Sequence, residues 1–493
     1  MNIGGLDVGT TGCKLTVFDS EGRCVKTAYR EYDVSRASGE HEIDANVIFA
    51  SVKAVISDCA ECKLSAIGVT TFGESFVVLD SDDNVLLPTM LYTDPRGEEE
   101  CRQLCNNLGE ERITYISGVK PHQMYSLPKI MWIKNNLPKV YEQISKILLM
   151  EDYIVYMLCG NRCIDYSLAA RTMAFDIRNK CWSSEIFESA GVDTRLMSEC
   201  VPAGNIAGTI KTDIAKELGV SDDVKIINGS HDQVASAVGS GALDVGMAVD
   251  GTGTVECVTP VFGDIPDNER LYEEGYSVVP YVFDGTYVCY ALSFTGGAVL
   301  KWFRDNFATE EMALAKEQGK NVYDIITEKA PCEPTDILVL PHFAGAANPY
   351  MDNGSKASFV GLTLEHTKYD IYRALMEGVT YEMMVNLQHL ESFGIVPDTL
   401  YATGGGAKSD MWLQIKADVT GRTVVPVDAD EVGAMGTYML AAVAMGIYKD
   451  LHHAKKACVR YGRAYVARTA ENDIYSKKMS VYSKLYESIR PLI

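Results

Sequence analysis

Two stretches place an acidic residue just before a turn of glycine and threonine. In GLDVGTTGCKLTVFD, residues 4–18, Asp7 precedes Gly9, Thr10, Thr11 and Gly12, and Lys14 follows; in GMAVDGTGTVECVTP, residues 246–260, Asp250 precedes Gly251 and Thr252. Glycine lets backbone come close to a ligand, successive N–H groups form an anion-binding concavity, and threonine hydroxyls add donors. Two such turns facing each other could hold a polyphosphate. Asp7 suits a hydrated magnesium ion, which keeps several waters and takes few protein carboxylates, and Lys14 adds a point charge.

A third glycine stretch, GGGAKSD at 404–410, follows the strand-like TLYAT and precedes a helix from Ser409 that Gly421 stops. No GxxxxGK[ST] occurs, and Lys408 is out of register for one, so this is not a Walker site. A glycine loop between strand and helix suits a flat base or ribose lying on bare backbone. In INGSHDQVASAVGSGAL, His231 and Asp232 end a strand and open a helix of small residues. A carboxylate there either caps the helix or takes a proton from a substrate hydroxyl.

The elements that must position these residues alternate between strand-like and helical runs. NIGGLDV, CKLTVFD and CVKTAYREY, a helix near Ala45–Cys59, LSAIGVTTF and FVVLD predict a mixed α/β sheet, with helices prevailing from Glu98 to Leu158. Gly9 and Gly251 stand about half the chain apart, which predicts two similar halves, 1–243 and 244–493, each opening on a glycine–threonine hairpin.

Composition narrows the class. A chain of 493 residues, 47% hydrophobic and 23% charged, has material for two large cores. Its 45 Lys and Arg against 67 Asp and Glu leave a net charge of −22 and no basic patch, which excludes nucleic acid as a partner. The start MNIGGLD lacks a signal peptide, and the longest apolar stretch, GAMGTYMLAAVAMGIY, is short of a membrane span and carries three glycines; a cytoplasmic protein with no membrane association is expected. The 14 cysteines then read as reduced thiols, the lone Cys59–Cys62 pair included. Trp132, Trp302 and Trp412 are expected in the core, His452 and His453 on a helix surface, and the acidic run 428–431 in a solvated loop.

DVGTTGCK, MYSLPKIMWIKNN (124–136), SHDQVASAVGSG, DGTGT, FVGLTLEHTKYDIYRALMEG (359–378) and GGGAKSDMWLQIKADVTG occur in the order of similar motifs in the FGGY carbohydrate kinases, and the chain resembles that family from about Asn2 to Ile447. The resemblance implies a two-domain actin/hexokinase-like, ribonuclease H-like α/β fold with the active site in an interdomain cleft. It implies ATP and Mg²⁺ as cofactors and a small sugar as acceptor. By position, Asp232 matches the catalytic base and Asp7 the residue near magnesium. Thr10, Thr11, Lys14, Gly251 and Thr252 match positions near the phosphates, Gly297 and Lys301 positions near the nucleotide, and Gly405 and Ser409 adenosine contacts. Gly73, Glu74, His231 and Gln233 fall at the sugar-contacting positions.

The chain also departs from the family's subgroups. Gly73-Glu74 stands where xylulose kinases show Met-His, and GAANP at 345–349 replaces their ERTP-like segment. His231-Asp232 is similar to rhamnulose kinases, and Glu74 to glycerol kinases. The expected reaction is transfer of the ATP γ-phosphoryl to a hydroxyl of a ketose such as xylulose or a related pentulose or deoxyhexulose. The competing readings are a polyol kinase of the glycerol or erythritol type, an ATP-gated binding protein of the same fold, and a catalytically silent sugar binder. A homodimer is compatible with each.

Overall fold

The computed structural model describes residues 1–36, 39–267, 269–429 and 431–492. They form two compact units: Met1–Leu243 with Ser277–Val288 and Glu431–Val459, and Asp244–Tyr276 with Cys289–Asp430 and Arg460–Ile493.

In the first unit, β1 (Asn2–Val8) turns back antiparallel into β2 (Gly12–Phe18) with Asp7 opposite Lys14, and β3 (Cys24–Glu31) continues the meander. Helix α1 (Ala45–Asp58) starts where the Asp44 carboxylate accepts the Asn46 N–H. Its apolar residues recur at helical spacing, so Ile48, Val52, Val55 and Ile56 share the face turned to the core. The chain then enters β4 (Leu64–Thr71), parallel to β1. β5 (Ile206–Thr209) and β6 (Lys225–His231) complete a sheet of order β5-β6-β4-β1-β2-β3, in which β6 runs parallel to β4. Helix α2 (Asp232–Ser240) follows β6 with no loop between them.

The second unit repeats this scheme. β7 (Met247–Thr252) pairs antiparallel with β8 (Glu256–Phe262). After α3 (Ala298–Phe307) and the long α4 (Lys368–Ser392), β9 (Thr399–Gly404) joins β7 in parallel. Helix α5 (Asp410–Thr420) then leads to β10 (Thr423–Pro426), parallel to β9. Each unit thus has a hairpin whose first strand is extended by two parallel strands, as the two predicted hairpins require. Trp412 is fully buried, and Trp302 packs partly buried against the same core.

The last element needed here, α6 (Val432–Ala444), belongs to the first unit. It lies against α2 and β1 at backbone distance. A Cβ on Gly436 would sit 1.9 Å from the Ala235 carbonyl oxygen, one on Gly239 1.8 Å from that of Val432, and one on Gly5 2.3 Å from that of Ala434. Backbone cannot swing aside as a side-chain tip can, so Gly436→Ala is expected to cost about 3 kcal/mol or more through overpacking, read as a lowered urea midpoint. A variant as stable as the parent would show that these helices can separate freely. Among the described residues no helix is long and apolar enough to cross a membrane.

Candidate active site

The turn after β1 is closed by the Gly9 N–H donating to the Gly12 carbonyl at 2.9 Å, and the Tyr32 hydroxyl holds the Gly9 carbonyl at 2.5 Å. Thr10 is half-buried and Thr11 exposed at its tip. Asp7 points toward the start of α6, where a Cβ on Gly433 would lie 3.3 Å from its Oδ2. Burial, then the negative charges of Asp232 and Glu431, push its carboxyl up to about 7, with Lys14 opposing. Lys14 Nζ meets Glu431 Oε1 at 2.6 Å. The acidic run 428–431 is therefore more than solvated loop at its last residue; Asp430 lies outside the described residues. Surplus negative charge around Asp7 is what a bound dication would relieve. Among the described residues no three His, Cys, Asp or Glu side chains converge as direct metal ligands, so the fit is to an ion held through its waters.

The base candidate sits where β6 becomes α2. Asp232 Oδ1 accepts the Gln233 N–H at 2.6 Å and lies 3.2 Å from His231 Nε2. Burial raises Asp232 to about 6, while the Gln233 N–H and Arg171 hold it lower than burial alone would. Burial and Arg171 push His231 down to about 3, so the imidazole is neutral and its contact with Asp232 is not an ion pair. The His231 N–H donates to Ser167 Oγ at 2.9 Å, and Ser167 Oγ donates to Asp165 at 2.5 Å. The end of β6 is thus tied to the turn that carries Arg171.

Gly73 and Glu74 lie directly beside this junction. Glu74 is 6% exposed and adopts a left-handed φ of 63°, a conformation non-glycine residues take only where the surroundings hold them. Arg171 supplies that hold: its Nε donates to Glu74 Oε1 at 2.6 Å and its Nη2 reaches the same oxygen. A Cβ at Gly73 would stand 3.0 Å from Arg171 Cγ and 3.2 Å from the His231 ring, so glycine leaves room for both. Arg171 was not among the residues singled out from the sequence. Its only signal is a lone arginine within the otherwise small and apolar LAARTMAF.

In the second unit three glycine turns converge. The Gly297 N–H donates to the Gly253 carbonyl at 2.7 Å, and a Cβ on Gly406 would lie 2.7 Å from Thr252 Cβ. Gly251, Thr252, Gly297 and Gly405 are accordingly brought together. Lys301 follows on the first turn of α3, and Ser409 caps α5 by accepting the Trp412 N–H. Beside Gly404, Ala407 and Lys408 a recess of about 420 Å³ runs to Pro426, Asp428 and Gly462.

Thr252 itself is buried with its hydroxyl turned inward. Lys416 Nζ lies 2.5 Å from Thr252 Oγ1, 2.5 Å from Asp250 Oδ2 and 3.0 Å from Glu256 Oε1. The Thr252 hydroxyl is thus committed to the cluster, which leaves backbone as the group this turn can present. Burial, more than the neighbouring Asp250, raises Glu256 to about 7, while Lys416 pulls it down. Lys416 and Glu256 are further residues that sequence reasoning missed.

Comparison with known proteins identifies the family. The chain matches the FGGY family of carbohydrate kinases, N-terminal domain, over residues 2–239 and C-terminal domain over 276–445. It is 26% identical to a xylulose kinase of Lactococcus lactis, across 98% of this chain and 96% of the relative. It is 28% identical to a gluconokinase of Bacillus subtilis, across 90% and 87%. The solved ligand-bound xylulose kinase from Lactobacillus acidophilus superposes with a TM-score of 0.89 at 25% identity, covering 99% of this chain and 98% of that one. Matched by family models over most of its length, the chain belongs to the FGGY carbohydrate kinases, phosphotransferases with an alcohol group as acceptor, and has their actin- and hexokinase-like fold.

Proposed function

We propose that this kinase is cytoplasmic and transfers the γ-phosphoryl of ATP to a hydroxyl of a small neutral sugar, a ketose such as xylulose or a related pentulose or deoxyhexulose. The observation that carries the reading is the grouping, within one unit, of Asp232, His231, Gly73 and Glu74 around a half-buried carboxylate held at about 6. Such a group is ionised at neutral pH yet basic enough to accept a proton as an alcohol attacks phosphorus. Glu74, His231 and Gln233 would orient the sugar. The turns at Gly9–Gly12 and Gly251–Gly253, with Lys14, would position the phosphates. Gly297, Lys301, Gly405 and Ser409 would seat the nucleoside. Bound Mg²⁺ would neutralise the phosphate charge, held through its waters by Asp7.

An ADP-release assay with pentuloses, hexuloses, deoxy-sugars, aldonates and polyols tests the proposal. ATP turnover is expected to need Mg²⁺ and to be fastest with a neutral ketose. A polyol as the fastest acceptor would move the assignment to the glycerol type, which Glu74 favours. Sugar binding with no ADP released would leave a silent sugar binder or an ATP-gated protein.

A further inference from the structure

Arg171 is a buried charge of the first unit, 5% exposed. It reaches the pocket from a 3₁₀ turn, Ala170–Thr172, behind the short helix Tyr166–Ala169 that Asp165 caps. Its guanidinium lies over the Tyr125 ring at 5.1 Å, and Tyr125 is itself buried. Its Nε and Nη2 both reach one oxygen of Glu74, Oε1. Among the described residues no donor reaches the other, Oε2. Serving a single oxygen through two nitrogens orients the carboxylate while leaving half of it free to accept.

We infer that Arg171 is the positioning residue that makes the acceptor pocket select a neutral polyhydroxy sugar over a sugar acid, by clamping Glu74 so that one carboxylate oxygen faces substrate hydroxyls. This rests on the kinase reading proposed above. A free carboxylate oxygen takes a hydrogen bond from a sugar O–H but repels a substrate carboxylate, and Asp232 adds a second negative charge next to it. The cation that would offset them is engaged by Glu74.

Glu74→Gln tests this directly, because glutamine preserves shape and removes the charge that neutralises Arg171. The parent enzyme is expected to use D-gluconate at least about 100-fold less efficiently, in kcat/KM, than its best neutral sugar. In Glu74→Gln that ratio is expected to shrink at least about tenfold, through a higher KM for the neutral sugar and a lower KM for gluconate. Arg171→Met is expected to raise the neutral-sugar KM about tenfold or more without any gain toward gluconate. Each variant leaves one buried charge unpaired, so unfolding midpoints are measured alongside, and the parent's own preference tests the inference whatever the variants' stability. A variant whose ratio stays at the parent's value overturns the inference. So does a parent that prefers gluconate, although that result leaves sugar phosphorylation intact. A parent that phosphorylates no sugar overturns the kinase reading, and the inference with it.

Discussion

Asp232→Ala is expected to lower kcat by about 10²–10⁴-fold, the usual contribution of a positioned general base, while the unfolding midpoint stays close to the parent's. Among the described residues its carboxylate has the Gln233 N–H and His231 as polar partners, so few interactions are lost with it. A base must be ionised to accept the hydroxyl proton. With Asp232 at about 6, kcat/KM is expected to fall as pH drops through 6 and to level off above it. Asp7, raised to about 7 in part by the charge of Asp232, titrates nearby and supplies the control: a limb due to Asp232 disappears from the residual activity of Asp232→Ala, whereas one due to Asp7 persists, moved to lower pH. Near-parental turnover in the variant would remove Asp232 from the chemistry.

Lys416→Met is expected to have the largest effect on stability, about 3–5 kcal/mol, because it deletes the cation from a buried ion cluster and leaves its anions unpaired. Lys416, Asp250 and Glu256 are each at most 1% exposed, and Glu256 Oε2 has no hydrogen-bond partner even in the intact cluster. Adding Asp250→Asn and Glu256→Gln to Lys416→Met should therefore recover part of the loss. Urea unfolding of the single and triple variants measures this coupling. An additive result would mean that the three side chains do not act as one cluster. Because Thr252 Oγ1 joins the same cluster, the single variant is also expected to raise the KM for ATP.

What the sequence revealed was local. The hairpin turns at Gly9–Gly12 and Gly251–Gly253, the Ser409 cap, the Gly421 stop and the placing of Asp232 at a strand–helix junction each depend on neighbours a few residues away, where residue type and spacing carry the signal. The pairings that set the electrostatics are remote. Lys416 meets Asp250 from 166 positions along the chain, Arg171 meets Glu74 from 97, and Lys14 meets Glu431 from 417. Nothing near any one of these residues identifies its partner, because the partner is chosen by how the strands are ordered in the sheet. The inward turn of Thr252 was hidden for the same reason: the type of residue suggested a donor for phosphate, and a lysine 164 positions away claims the hydroxyl.

The placement of α6 bears on how the protein is made. Val432–Ala444 meets β1 through Gly5 and α2 through Gly239, so both wait for a segment that a ribosome delivers only after nearly all of the other unit's strands have emerged. Maturation of the amino-terminal lobe is therefore deferred until late in translation, and a nascent chain halted at its midpoint would present uncovered backbone to chaperones.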